Sequence, residues 1–126
     1  MKIFTKKAPK PIGPYSQAIK IKNLLMVSGQ IPIDPISKTI PKKIYCQTLL
    51  SLKNIEEIIK KSKFTIKNII KTTIFTTNID KFEKINLAYE NFFKKKIDFF
   101  PARSCVQVSK LPRNVKIEIE AIIYKK

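Results

Sequence analysis

The chain has 126 residues, 44% of them hydrophobic, which is typical of one globular domain, so we expect residues 1–126 to form a single domain. It contains no histidine and two cysteines, which excludes His-dependent catalytic triads and leaves too few nitrogen and sulfur ligands for a zinc site. Taken alone, the net charge of +17 suggests a nucleic-acid or anionic-membrane partner. No apolar run approaches the length of a membrane span.

The N-terminal third of the chain is predicted to contain a loop, a hairpin and a second irregular segment. Prolines at positions 9, 11 and 14 exclude a helix there, because each lacks a backbone donor and restricts the residue before it. Residues 18–21 and 24–27 read as two strands joined by a turn at Lys22-Asn23. Prolines at 32, 35 and 41 then mark an irregular connection that ends at about Lys43.

Two amphipathic helices are predicted, separated by a strand. Residues 44–61 carry large side chains at helical spacing, namely Tyr45, Leu49, Leu52, Ile55 and Ile59. The β-branched run at 69–77 favours a central strand. Asp80 is in position to cap a second helix, whose apolar face comprises Phe82, Ile85, Tyr89 and Phe92.

The C-terminal part is predicted to form two more strands, at 103–109 and from Val115 onward, joined by a turn at 111–114. In the last strand, alternate apolar residues lie on one face. The pattern therefore gives five strands and two helices, and we expect an α+β fold in which both helices cover one face of a mixed sheet.

Charged and thiol side chains alternate along these last two strands. Arg103 and Cys105 share one face of the penultimate strand, and Glu118 and Glu120 share one face of the last. Antiparallel pairing of the two strands would place Arg103 opposite Glu120 and Cys105 opposite Glu118, forming one patch. Taken alone, the alternation is more typical of a solvated face with cross-strand ion pairs than of an active site.

Four segments resemble signature stretches of the Rid proteins, the reactive-intermediate (enamine/imine) deaminases also called the YjgF or RutC family. The segments are residues 12–18 (IGPYSQA), 27–32 (VSGQIP), 101–106 (PARSCV), and 111–112 (LP) followed by 115–121 (VKIEIEA). The resemblance spans nearly the whole chain and is closest to the RidA branch. It implies a chorismate-mutase-like fold with a six-stranded sheet, a homotrimer with clefts between subunits, no cofactor, and hydrolysis of 2-iminobutanoate and 2-iminopropanoate.

The resemblance also assigns site residues. Arg103 would bind the substrate carboxylate, a role that suits a planar guanidinium better than an ammonium, and Glu118 would be the catalytic carboxyl group. Cys105 would have a positional role, because no histidine is present to activate its thiol. The cleft would be lined by Tyr15, Ser28, Gly29 and Asn86. Gly29 is one of two glycines, which suggests a close approach that a side chain would block.

Two departures from the family pattern lie near these segments. The loop after Asp34-Pro35 lacks a glycine that relatives often have, which leaves the shape of the 34–43 loop open. Gln107 replaces a glutamate that often follows Cys-Val in relatives, beside the expected site.

Alternative functions remain at this point. One is a RutC-like 3-aminoacrylate deaminase, and another is a single-stranded RNA binder or ribonuclease, suggested by the charge. Against the latter, 24 of the 26 basic residues are lysines, and no aromatic platform alternates with them. Because the lysines accompany 23 isoleucines, we interpret the charge as compositional bias and expect no specific nucleic acid or membrane partner. The two separated cysteines suggest free thiols in the cytoplasm.

Overall fold

The computed structural model describes all residues from 1 to 126 and contains one six-stranded sheet with two α-helices. The strands are β1 (Lys2–Ile3), β2 (Ala18–Ile21), β3 (Leu24–Gln30), β4 (Ile69–Thr76), β5 (Ala102–Gln107) and β6 (Ile117–Tyr124). The helices are α1 (Ile44–Lys61) and α2 (Phe82–Phe93). In the sheet the order is β1-β2-β3-β6-β4-β5, with β4 and β5 parallel and every other pair antiparallel.

Both helices pack on the same face of this mixed sheet, as predicted. The core between them contains 22 buried residues, and alternate positions of β6 project into it: Ile117, Ile119, Ala121 and Ile123. The opposite face of the sheet carries no helix. Its apolar side chains include Ile19, Met26 and Tyr124, which are 41%, 52% and 46% exposed. The sheet is therefore buried on one side and open on the other.

The predicted pairing of the last two strands is wrong. Strand β4 lies between β5 and β6, so that Arg103 is paired with Thr72 and Glu118 with Phe75. Helix α2 provides the crossover that a parallel β4–β5 pair requires, and β6 then returns antiparallel to both β3 and β4. Alternation shows which residues share a face, but it does not show which strands are neighbours. Arg103 is consequently not opposite Glu120, and Cys105 is not opposite Glu118.

Smaller differences concern the ends of elements. The hairpin forms as predicted, with Lys22 at φ 51° in its turn, but β3 extends to Gln30. The predicted cap of α2 is wrong, because the Asn78 side chain accepts a hydrogen bond from the Asp80 N–H and begins a 3-10 turn that precedes the helix. The two-residue strand β1 has too little pattern for the sequence to reveal it.

Candidate active site

The Glu118 carboxyl lies directly against the backbone of Gly29, on the open face of the sheet. A methyl group built on Gly29 would meet Glu118 Oε2 at 2.7 Å, closer than real side chains allow. The φ of Gly29 is not positive, so the glycine is required by this close approach and not by an unusual backbone angle. The pairing of β3 with β6 is irregular between Val27 and Gln30, and Gly29 lies in this bulge.

The pKa of the Glu118 carboxyl is raised above its ordinary value. Burial is the main cause, because partial loss of water disfavours the charged form, and the like charge of Glu120 adds to it. Glu120 is two residues farther along β6 on the same face. A carboxyl group with a raised pKa can both accept and return a proton under conditions closer to neutrality.

A cleft of about 240 Å³ adjoins this carboxyl. It is lined by Ile12, Tyr15, Ser28, Gly29, Ile31, Pro112 and Glu118. Three of the residues predicted for the site, Tyr15, Ser28 and Gly29, are therefore brought together with Glu118. The apolar members Ile12, Ile31 and Pro112 were not predicted individually, although all three fall within the quoted motifs.

Hydrogen bonds fix the wall of this cleft. The Ser28 hydroxyl donates to the Ser16 carbonyl at 2.6 Å, and the Ser28 N–H donates to the Gln17 carbonyl at 2.9 Å. The buried Gln17 side chain donates to the Thr5 and Pro9 carbonyls and accepts from the Thr5 N–H, which ties the N-terminal loop to the sheet. Gln17 thus positions the segment that carries Tyr15. The sequence motif contains Gln17, but residue pattern alone does not show that its amide binds the N-terminal loop.

Arg103 lies on the helix-bearing face of the sheet, near the edge formed by β5. Its guanidinium carbon is 5.0 Å from the ring centre of Tyr89 and 5.4 Å from that of Phe82, both in α2. The Tyr89 hydroxyl is hydrogen-bonded to Thr72 Oγ1 at 2.7 Å, which fixes the ring beneath the cation. Aromatic faces attract a guanidinium without using its hydrogen-bond donors, so these donors stay available for a ligand. The sequence pattern placed Phe82 and Tyr89 on the apolar face of the second helix and gave neither of them a role at the site.

Cys105 and Asn86 occur on the Arg103 side. Cys105 shares the face of Arg103 on β5 and packs partly against the core; burial raises the pKa of its thiol despite the positive charge of Arg103. The thiol is therefore protonated more readily than an ordinary cysteine, which argues against a nucleophilic role. Asn86 is a half-buried residue of α2, and its Oδ1 atom is buried without a hydrogen-bond partner. Such an oxygen is available to accept a hydrogen bond from a ligand.

The predicted site residues therefore fall into two groups on opposite faces of the sheet. We call the residues Tyr15, Ser28, Gly29 and Glu118 the carboxyl half-site, and Asn86, Arg103 and Cys105 the guanidinium half-site. One strand, β4, separates β5 from β6, which places their backbones roughly 10 Å apart across the sheet. No group of three His, Cys, Asp or Glu side chains is placed to hold a metal ion.

Gln107, the residue that departs from the family pattern, shares the face of Arg103 and Cys105 on β5, but its hydrogen-bond partner belongs to neither half-site. Its Oε1 atom accepts a hydrogen bond from the Ile79 N–H at 2.9 Å, so the amide holds the 3-10 turn before α2 against β5. A glutamate at this position would also accept this bond. The change from glutamate therefore removes a negative charge from the strand of Arg103 while keeping this contact.

Comparison with known proteins identifies the family. Residues 5–125 match the family model described as Endoribonuclease L-PSP. A "RutC family protein" of Buchnera aphidicola (subspecies Acyrthosiphon pisum) is 60% identical over 98% of this chain and 97% of that protein. The chain belongs to the RutC (RidA/YjgF) family. A more distant member, named 2-iminobutanoate/2-iminopropanoate deaminase in Escherichia coli K12, is 41% identical over 98% of this chain and 97% of its own length.

Solved structures of the RutC family agree with the fold. The structure described as the yjgF gene product of E. coli has a TM-score of 0.97 at 40% identity and covers 100% of this chain and 99% of its own. The structure of E. coli TdcF with bound serine also has a TM-score of 0.97, at 40% identity, with the same coverage. The family supports imine or enamine deaminase activity for this chain. Neither α1 nor α2 combines the length and the hydropathy of a membrane-spanning helix.

Proposed function

We propose that this RutC family protein hydrolyses short 2-imino acids, 2-iminobutanoate and 2-iminopropanoate, to the 2-oxo acids and ammonia. The observation that carries the proposal is the half-buried Glu118 carboxyl, which adjoins a small cleft and has a raised pKa. The 41% identity to the named E. coli deaminase supports the same substrate class.

The chemistry uses one proton-handling group. The Glu118 carboxylate accepts a proton from water as the water oxygen bonds to the carbon of the protonated imine, giving a neutral carbinolamine. The carboxyl then returns this proton to the nitrogen. As the carbon–nitrogen bond breaks, the carboxylate accepts the hydroxyl proton, so that the carbonyl forms and ammonia leaves, and the carboxyl passes its proton on to ammonia. Water is the only co-reactant. Arg103 binds the substrate carboxylate through two parallel hydrogen bonds, which holds the imine carbon near the water.

The complete site requires more than one copy of the chain. Arg103 and Glu118 lie on opposite faces of one sheet, so a single small substrate reaches both only where the carboxyl half-site of one copy meets the guanidinium half-site of another. Contact between two different surfaces is heterologous, and such contacts form a ring when the rotation between copies closes. A homotrimer with three clefts meets this requirement and also covers the exposed apolar residues of the open face. Cys46 and Cys105 are free thiols, which suits the cytoplasm as the compartment.

A trapping assay tests the reaction. A threonine dehydratase generates 2-iminobutanoate, and semicarbazide traps the imine that has not yet hydrolysed. We expect this protein to reduce semicarbazone formation in proportion to its concentration, and the variant Glu118→Gln to have little effect. Unchanged semicarbazone formation with the wild-type protein would exclude the proposed substrate.

The same preparation distinguishes the two alternatives. Faster turnover of 3-aminoacrylate than of the 2-imino acids would indicate a RutC-type substrate. Cleavage of single-stranded RNA that is lost in Glu118→Gln would support the ribonuclease description of the family model. We expect RNA binding, where it occurs, to weaken steeply with salt and to be independent of sequence, because scattered lysines contact phosphates and not base edges.

A further inference from the structure

A second concave site lies at the N-terminal ends of both helices, outside both half-sites. The cavity has a volume of about 570 Å³ and contains five lysines in its wall. They are Lys42, Lys43, Lys81, Lys84 and Lys116, and the remaining lining residues are Ile44, Tyr45, Thr77 and Asn78. No aspartate or glutamate lines it.

The lysine content of this cavity exceeds what the composition of the chain explains. With 24 lysines in 126 residues, a wall of nine residues would contain about two by chance. Two other surface cavities each contain three lysines, but they are accompanied by Glu56 in one and by Asp34 and Glu57 in the other. The five-lysine cavity thus differs from its neighbours both in positive charge and in the absence of a compensating carboxylate.

Acidic residues nearby do not neutralise these lysines. The ion pairs of the chain are Lys60–Glu57 and Lys96–Glu56, neither of which involves the cavity. Asp80 and Glu83 are next to Lys81 and Lys84 in sequence, but neither lines the cavity. Mutual repulsion of five positive charges in one concave surface is relieved by a bound anion.

The start of α1 adds backbone donors to the same wall. Lys43 is the N-cap residue and makes no side-chain cap, and the first turn of the helix contains no acidic residue. The first N–H groups of an α-helix have no partner within the helix, and the helix dipole favours negative charge there. Ile44 and Tyr45, the first two residues of α1, line the cavity.

We propose that this cavity binds a small phosphorylated anion with at least two phosphate groups. The concave shape favours a compact ligand over an extended polymer, and its volume is within the range of small-molecule sites. Several point charges without an arginine fork suit clustered phosphates better than one planar carboxylate. The site is independent of the deaminase proposal, because it contains none of the residues of either half-site.

Titration calorimetry with inorganic tripolyphosphate tests the proposal on the full chain. We expect saturable binding at one site per chain, weakened about tenfold in the double variant Lys43→Gln/Lys84→Gln, which removes a lysine from each side of the cavity. The matched control is Lys60→Gln/Lys67→Gln, which removes the same charge from the cavity containing Glu56. Binding to this control should stay within twofold of the wild type. All four lysines are exposed, so thermal unfolding should confirm that both variants fold.

Two results would overturn the proposal. Equal weakening of tripolyphosphate binding in both double variants would show that binding depends only on net charge. The absence of saturable binding by the wild type would show that the cavity is not a polyphosphate site. In a second arm, a uridine oligonucleotide replaces tripolyphosphate. If the oligonucleotide binds in a manner dependent on Lys43 and Lys84 while tripolyphosphate does not bind, the surface recognises RNA and the small-anion assignment is wrong.

Discussion

The Glu118 carboxyl is held where its ionised form is disfavoured. Its folded-state pKa lies above the ordinary value of 4.5, so the folded protein binds the proton more tightly than the unfolded chain does. The contribution of Glu118 to the free energy of unfolding is therefore fully present below the pKa of the unfolded chain. This contribution is lost as the pH rises through the pKa of the folded protein. At neutral pH the ionised carboxyl destabilises the fold. A catalytic role explains a destabilising glutamate at this position better than a role in packing does.

Substitution Glu118→Gln should separate turnover from stability. We expect kcat to fall by about 100-fold or more, because general acid–base catalysis contributes on this scale, while binding of the substrate carboxylate is largely retained. The neutral amide should also raise Tm at pH 7, because burial disfavours the charged form that it replaces. Imine hydrolysis and calorimetry measure the two effects, and a variant that is both inactive and less stable would contradict this role.

Glu120 should set the pH range of the reaction. Its charge raises the pKa of Glu118, so Glu120→Gln should lower that pKa. Because the reactive form is the Glu118 carboxylate, the acidic limb of kcat/KM should move to lower pH in the variant. Desolvation is the larger cause and persists, so the pKa should remain above its ordinary value. A pH profile identical to that of the wild type would exclude coupling between the two groups.

Arg103→Lys tests the geometry of the substrate anchor at constant charge. An ammonium cannot make two parallel hydrogen bonds to a carboxylate, and we expect kcat/KM to fall by about 10- to 100-fold, mainly through KM. The matched control is Arg113→Lys, which changes the other arginine, in the exposed turn before β6. We expect this control to leave kcat/KM nearly unchanged. Cys105→Ser should reduce kcat/KM much less than Arg103→Lys does. Wild-type activity in Arg103→Lys would show that a point charge suffices.

At the scale of elements, the bulge in β3 is what brings a backbone within reach of Glu118. The β3–β6 register shifts between Val27 and Gln30, and the carboxyl occupies the space where Gly29 has no side chain. A residue with a Cβ atom requires either the strand or the carboxyl to move. The proposed site therefore depends on this local irregularity as well as on the glutamate.

Gly29→Ala should therefore reduce turnover while the sheet stays folded. The new Cβ would lie 2.7 Å from Glu118 Oε2, and the flexible carboxyl is the group that can move. We expect kcat to fall by about tenfold to 100-fold, since small displacements of catalytic groups have effects of this size. The control is Gly13→Ala, whose Cβ would meet the Tyr15 ring at an ordinary 3.6 Å. Wild-type activity in Gly29→Ala would show that the close approach has no catalytic consequence.

The helices and strands were largely predictable from the sequence, but which strands pair with each other was not. Helix α1 was predicted with its observed bounds because its apolar spacing is regular, and the hairpin because a two-residue turn separates two apolar runs. The pairing of β5 with β4 depends on the crossover through α2, which residue alternation does not encode. For the site, motifs located Arg103 and Glu118, but the placement of these residues on opposite faces became clear only with the sheet order.

At the scale of the whole molecule, the proposed site shared between chains predicts that one chain alone is inactive. The open face carries the carboxyl half-site together with exposed apolar residues such as Met26 and Tyr124, and the guanidinium half-site lies near the β5 edge on the other face. Covering the first surface with the second removes apolar area from water and completes the site in one step. Catalysis and assembly are then coupled, so a stable monomer with full activity would exclude the shared site.

Mixed oligomers test the shared site directly. Oligomers of Arg103→Lys alone and of Glu118→Gln alone have one defective half in every site. When the two variants are unfolded together in equal amounts and refolded, about a quarter of the sites should combine Glu118 from one chain with Arg103 from another. We therefore expect up to about a quarter of the wild-type activity to return. The control mixes Arg103→Lys with the double variant Arg103→Lys/Glu118→Gln, which has no intact Arg103 to contribute and should recover nothing. If both half-sites acted within one chain, every chain in the first mixture would remain defective, and the absence of recovered activity from properly assembled oligomers would show it.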